Sequence, residues 1–168
     1  MLVIGSDHAG YGMKLEIIKY LEGKQRPYLD VGGTAQSCDY PLIAVDACTK
    51  IITGECLKGI LVCGTGIGMA IAANKVPGVR AAVGHDVYTV KLAREHNRIN
   101  MLCLGARIIG REYAFELIEA FLNTEFELGR HRRRLDIITS IESKNWKTFK
   151  NNYDTVESPK DPEILKRR

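Results

Sequence analysis

Short unbroken apolar runs alternate along the chain with stretches whose apolar residues recur at helical spacing. LVIG at 2–5, GILVC at 59–63 and MLCLG at 101–105 read as strands, because a run without polar alternation fits a strand buried on both faces. Weaker strand signals lie near Pro27–Val31 and in VRAAV at 79–83. Between them, Met13, Ile17, Ile18 and Leu21 mark a first helix. Pro41 stands where a second can begin, with Leu42, Val45, Cys48 and Ile52 as its apolar stripe. A short Ala-rich helix follows the glycines after Cys63. Further helices are expected around Val87–Glu95, from Glu112 to about Leu122, and from Arg130 to about Ile141.

Strands alternating with helices predict an α/β fold: one doubly wound, Rossmann-like domain with a parallel sheet of about five strands flanked by helices. Ligands of such sheets bind at the carboxyl ends of the strands. The polar clusters fall there: SDH after the first strand, CGTG after the third, GHD after the fourth and GAR after the fifth.

Composition narrows this picture. A chain of 168 residues with 45% hydrophobic content suits a single globular domain. No apolar run approaches the roughly 20 residues of a membrane helix, so no membrane partner is expected. MLVIGSDHAG lacks the basic start of a secretory signal. Cys38, Cys48, Cys56, Cys63 and Cys103 form an odd set with no CxxC pair, which fits a reducing, cytoplasmic setting. His8, His85, His96 and His131 show no zinc-site spacing. The net charge of +4 is uneven: from Ser143 onward there are seven Lys or Arg and four Asp or Glu. The body is therefore nearly neutral, which argues against a broad nucleic-acid surface. Residues 1–142 are expected to form the domain and 143–168 a polar extension, with Trp146 and Phe149 as its candidates for docking.

The loops carry the chemistry. In CGTGIGMAIAANK at 63–75, Gly64, Gly66 and Gly68 allow backbone N–H groups to close around an anion at a helix start. The plain alternative is a tight strand-to-helix turn. Cys63 ends a strand at this loop; it is either a small core residue or a thiol whose thiolate the helix start stabilises. The other cysteines lack that setting. Asp7 and His8 follow the first strand, as crevice residues or as a helix cap with a solvated histidine. His96, before Asn97, is a general acid–base candidate, or simply a histidine favoured by the end of its helix. Arg130 and Arg134 stand one helical turn apart and can fork a phosphate, unless they belong to a solvated basic stripe or a nucleic-acid contact.

GTGIGM with Asp86 some distance on is reminiscent of a dinucleotide fingerprint. However, Met69 holds the third glycine position and the loop follows the third strand, not the first. Both departures argue against such a cofactor.

Taken together, GSDHAGYGMK at 5–14, DYP at 39–41, CGTGIGMAIAANK at 63–75, REHN at 94–97, LGAR at 104–107 and GRHRRR at 129–134 resemble the ribose-5-phosphate isomerase B family, which includes galactose-6-phosphate isomerases. The resemblance covers roughly residues 1 to 142. It implies interconversion of D-ribose 5-phosphate and D-ribulose 5-phosphate in the pentose phosphate pathway, through a cis-enediolate and without cofactor or metal. Cys63 matches the family's catalytic base. Thr65 and the amides of Gly64, Gly66, Ile67 and Gly68 match its anion hole. His96 matches the residue that helps open the furanose ring, with Asp39 assisting. Asp7, His8, Asn97, Arg107, Arg130 and Arg134 match substrate-binding positions. The last arginines of the family reach into a neighbouring subunit's site, which implies a homodimer; some members are tetramers.

One branch of the family uses a glutamate four residues beyond the cysteine position; here that residue is Ile67, which sets this chain with the cysteine branch. The extension from Ser143 departs from the family pattern. A six-carbon substrate, allose or galactose 6-phosphate, is the alternative within the family. A non-catalytic sugar-phosphate sensor is the alternative outside enzymes, and the set Cys63, Thr65 and His96 speaks against it.

Overall fold

A computed structural model describes residues 1–143; the expected docking of Trp146 and Phe149 lies outside them. The chain runs β1 (Leu2–Ser6), α1 (Tyr11–Gly23), β2 (Tyr28–Asp30), α2 (Tyr40–Ile52), β3 (Lys58–Cys63), α3 (Ile67–Ala73), β4 (Ala81–Val83), α4 (Val87–Asn97), β5 (Met101–Gly105), α5 (Arg111–Asn123) and α6 (Arg130–Ser143). The strands form one all-parallel sheet in the order β2-β1-β3-β5-β4. The doubly wound α/β expectation therefore holds, and the order within it is a tertiary result: β5 inserts between β3 and β4.

The unbroken apolar strands have the cause their pattern suggests. Alternate residues serve opposite faces of a sheet. Leu2, Ile4, Ile60, Val62, Leu102 and Leu104 pack with Ile17, Leu117 and Phe121 under α1, α4 and α5. Val3, Leu61, Cys63, Met101 and Cys103 pack with Ala47, Cys48 and Met69 under α2 and α3. Both faces are dry, so neither set can be polar.

The stripe expected on α2 is a correction. Leu42 is 71% exposed and Ile52 53%, with Val45 also outside, whereas Ala44, Ala47 and Cys48 are buried. The helix lays its small-residue face on the sheet. Of the expected stripe only Cys48 faces inward. Larger side chains would hold the helix too far out for Ile43 to reach the strand, where it sits so close to Gly5 that a Cβ there would meet it at 2.9 Å.

Buried polar groups fix the loops around β1. Lys14 is 2% exposed, and its ammonium pairs with Asp30 at 2.8 Å and donates to the carbonyls of Gly32 and Gly33 at 3.0 and 3.2 Å. A buried lysine is tolerable only when so surrounded by acceptors. Asp86 is a helix cap: its carboxylate accepts the Thr89 N–H at 2.8 Å and starts α4.

Candidate active site

The chain leaves β1 toward β2 on one side and returns to β3 on the other, so a crevice opens between the carboxyl ends of β1 and β3. Ser6 pairs with Val62, and the next residues along the two strands are Asp7 and Cys63. Cys63 is also in register with Gly105 of β5. Sheet topology thus sets the thiol at the end of the central strand, between two loops that the sequence marked.

Local chemistry fixes the thiol further. Gly66 adopts φ 79°, a left-handed conformation that a side chain resists. That turn aims its N–H back at the strand, where it donates to Cys63 Sγ at 3.1 Å. An N–H directed at sulfur interacts more strongly with a thiolate than with a thiol. Cys63 is 5% exposed. Thr65 and Ile67 face outward, and the Thr65 hydroxyl accepts the Ile67 N–H at 3.4 Å.

The loop's neighbours are the matched residues. Arg107 donates its backbone N–H to Gly64 O at 3.0 Å, and its guanidinium lies over Gly64. The Tyr40 ring, next to exposed Asp39 at the start of α2, covers Gly68. Asp7 is buried; its Oδ1 accepts the Gly10 N–H at 2.9 Å, which leaves His8 exposed at the turn. Gly10 lies so close to β3 that a Cβ would stand 2.3 Å from Val62 O. The alternative reading of Asp7 as the helix cap gives way to Gly10, which takes the cap position of α1, and the Asp7 turn locks the first loop onto the strand bearing the thiol.

Two other thiols, Cys48 and Cys103, are fully buried. Burial pushes Cys48 up to about 11, and burial, then the neighbouring Cys63 and Cys48, pushes Cys103 well above the ordinary thiol range. They are core residues, as expected.

His96, Asn97, Arg130 and Arg134 are not in this crevice. Helix α4 starts at the carboxyl rim of the sheet and runs back toward the amino rim, where β5 begins. Its end is fixed there: Arg80, just before β4, donates from Nε to Asn97 O at 3.1 Å. Cys63 lies at the other end of β3, about 16 Å along the strand from that rim. At the end of α4, the His96 ring stacks on His131 of α6, centroids 4.1 Å apart and planes 2° from parallel. Arg130 donates from Nε to His131 Nε2 at 3.3 Å, and Arg130 and Arg134 are exposed on α6. His131 is buried, with Nδ1 unpartnered among the described residues. Burial, then His96 and Arg130, hold it below the usual imidazole range.

His131 is the residue that reading the sequence missed. Its only signal was its place inside the arginine run. Donor atoms of His96, Glu127 and His131 lie within 4.8 Å of one another. Parallel stacked rings aim their lone pairs in separate planes, so in this arrangement the two imidazoles do not converge on one ion. The described part of one chain therefore presents two separate clusters: the thiol loop with Asp7 and Arg107, and the histidine stack with Arg130 and Arg134 on the same helix.

Comparison with known proteins adds an independent line. Residues 2–138 match a family model described as ribose/galactose isomerase. Ribose-5-phosphate isomerase B of Escherichia coli is 39% identical over 85% of this chain and 97% of its own length. A D-erythrulose-4-phosphate isomerase of Mycolicibacterium smegmatis is 42% identical over 75% of this chain and 86% of its own. The solved ribose-5-phosphate isomerase B of Clostridium thermocellum superposes with a TM-score of 0.83 at 43% identity, covering 84% of this chain and 97% of that one.

Proposed function

The chain belongs to the ribose/galactose isomerase family, and from that premise we propose that it interconverts D-ribose 5-phosphate and D-ribulose 5-phosphate, with Cys63 as the base. The observation that carries this reading is the Cys63 sulfur, held at 3.1 Å from the Gly66 N–H at the end of the central strand and beside Asp7.

The chemistry runs as follows. A cyclic sugar has no carbonyl, so an acid–base group must first move a proton from O1 to the ring oxygen; His96 does this, with Asp39 assisting. The Cys63 thiolate then takes the C2 proton and the electron pair moves to O1, giving a cis-enediolate. The loop amides from Gly64 to Gly68 and the Thr65 hydroxyl stabilise charge on O1 and O2, and one such donor contributes about 3–4 kcal/mol in other enzymes. The thiol returns its proton to C1 while the O2 proton passes to O1, leaving the C1 hydroxyl and the C2 ketone. Asp7, His8 and Asn97 hold hydroxyls, and Arg107, Arg130 and Arg134 hold the phosphate, whose binding fixes C2 against sulfur.

Because the two clusters lie on opposite rims, a second copy of the chain supplies His96, Asn97, Arg130 and Arg134 to each thiol loop. The exposed apolar residues Leu42 and Val45 of α2 with Ile67 and Ile71 of α3 support association. Carbon count is the finer question, since family relatives carry names of four- and five-carbon substrates and a six-carbon phosphate remains the alternative.

The test is turnover by EDTA-treated protein on ribose 5-phosphate, erythrulose 4-phosphate and allose 6-phosphate, beside Cys63→Ala. Preference for the pentose, abolished in the variant, supports the reading. Full activity of Cys63→Ala would remove the thiol from the chemistry. Mixing inactive Cys63→Ala with inactive His96→Ala tests the shared site: hybrid dimers regain one intact site. No recovery after subunit exchange would refute it.

A further inference from the structure

The amino rim of the sheet holds a second concentration of charge that the isomerase chemistry does not use. A cavity of about 420 Å³ opens there, lined by Lys58 at the start of β3, Arg80 before β4, Arg94 and Arg98 at the end of α4, with Asn100 and Cys56. None of its lining residues carries a carboxylate. Among the described residues, none of the four cations lies within ion-pair distance of an Asp or Glu.

Part of this charge has a structural use. Lys58 Nζ donates to the carbonyls of Phe121 and Leu122 at 3.3 and 2.8 Å, near the end of α5. Arg94 donates from Nε to Thr124 O at 3.1 Å and from Nη1 to Ile99 O. Arg80 Nε reaches the carbonyls of Asn97 and Arg98 at 3.1 and 3.2 Å. Helix C-termini favour such cations. Yet these bonds pin only part of each group. Both Nη of Arg80, Nη2 of Arg94 and the whole Arg98 guanidinium have no acceptor among the described residues.

The crowding is costly. Burial, then Arg94, lowers Lys58 to about 8, and burial with Arg98 nearby also depresses the Arg80 and Arg94 guanidinia. Glu125 and Glu142 offset this from outside the cavity. Cation groups gathered with spare donors, in a cavity at the small end of ligand-site volumes, make a seat for a compact multivalent anion.

We propose that Lys58, Arg80, Arg94 and Arg98 form a second anion site at the amino rim, which takes a small phosphate-bearing molecule. The phosphate oxygens accept the spare guanidinium N–H groups, and arginine's fork suits that geometry. The site is separated from the sulfur by the length of β3, about 16 Å, so an occupant there does not meet the reacting carbons at the thiol of its own chain.

The experiment is equilibrium dialysis of inorganic phosphate against the full chain at fixed ionic strength, with chloride as balancing anion. Two classes of site per chain are expected. Arg134→Ala should weaken one. Arg98→Asn combined with Lys58→Gln should weaken the other by roughly tenfold or more, the loss of a charge-assisted bond. Asn suits the left-handed backbone of residue 98, φ 47°. Turnover of ribose 5-phosphate by that double variant should stay within about twofold, since it removes no group placed in the chemistry. The proposal is overturned by a single class of site, by a double variant that binds phosphate as wild type does, or by chloride competing equally. A loss of turnover in the double variant matching that of Arg134→Ala would assign these cations to the substrate site and overturn it as well.

Discussion

The two ends of β3 present opposite electrostatics. At the carboxyl end, Cys63 meets backbone N–H groups: the Gly66 amide on its sulfur, and the open amides of a turn that begins a helix. At the amino end, Lys58 meets backbone carbonyls, those of Phe121 and Leu122. Parallel topology produces this contrast. Helices run against the strands they connect, so their N–H ends gather at one rim and their C=O ends at the other. The rim rich in N–H can stabilise an anion through backbone dipoles, with the Arg107 guanidinium over Gly64 as its charged neighbour. The rim rich in C=O attracts lysines and arginines, and here attracts more donors than the carbonyls use. The difference teaches that uncharged dipoles suit transient charge on a reacting molecule, whereas the full charges at the far rim suit a standing anion.

The largest expected effect breaks the carboxyl end alone. Cys63→Ala should cut turnover by about 10²–10⁴-fold, the usual contribution of a positioned base, while phosphate binding at the amino rim and the melting temperature stay close to wild type. Coupled-enzyme assay and dialysis on the same preparation check both halves. Next comes the support of that end: Gly10→Ala places a Cβ 2.3 Å from Val62 O, and overpacking of this kind costs about 1–3 kcal/mol. Chemical denaturation should show the loss, with reduced activity as the Asp7 turn shifts; unchanged stability would mean that the turn is looser than its geometry.

A smaller effect tests the amino end by pH. Lys58 is lowered to about 8, by burial and then Arg94, with Glu125 opposing and Arg26 adding to the lowering. Between that value and the ordinary lysine range, the unfolded chain binds more protons than the folded one, so this group's contribution to stability rises with pH. Below about 8 both states are protonated and the penalty is present in full. The melting temperature of wild type relative to Lys58→Gln should therefore climb from pH 8 toward 10. A flat difference would mean that the ammonium is not strained. The smallest effect is on catalysis by the rim: Arg98→Asn should leave kcat within about twofold, as surface changes usually do, and a larger fall would erase the separation of the two ends.

Much of this was legible in sequence because it depends on short-range physics. The apolar runs of β1, β3 and β5 announced strands dry on both faces, and they are. The glycines after Cys63 announced a backbone conformation that other residues resist, and Gly66 adopts one at φ 79°. The helix ending at His96 and Asn97, and the arginine pair one turn apart on the next exposed helix, were also readable. The stripe Leu42, Val45 and Ile52 misled. Periodicity says that a helix has an apolar face but not which surface covers it, and α2 set its alanines against the sheet instead. His131 gave only its place inside the arginine run, and the four-cation rim gave no pattern, since Lys58, Arg80 and the pair Arg94 and Arg98 come from three distant parts of the chain.

By itself the sequence determined the α/β alternation, the polar loops at strand ends, the thiol before its glycine turn and the family motifs, since each is written within one strand, turn or helix. Only the tertiary structure decided that β5 lies between β3 and β4, that α2 turns its larger residues outward, and that Cys63 and His96 stand on opposite rims. Those outcomes depend on which surfaces meet across long stretches of chain, and they arise from the competition of all packing partners at once rather than from any local run of residues.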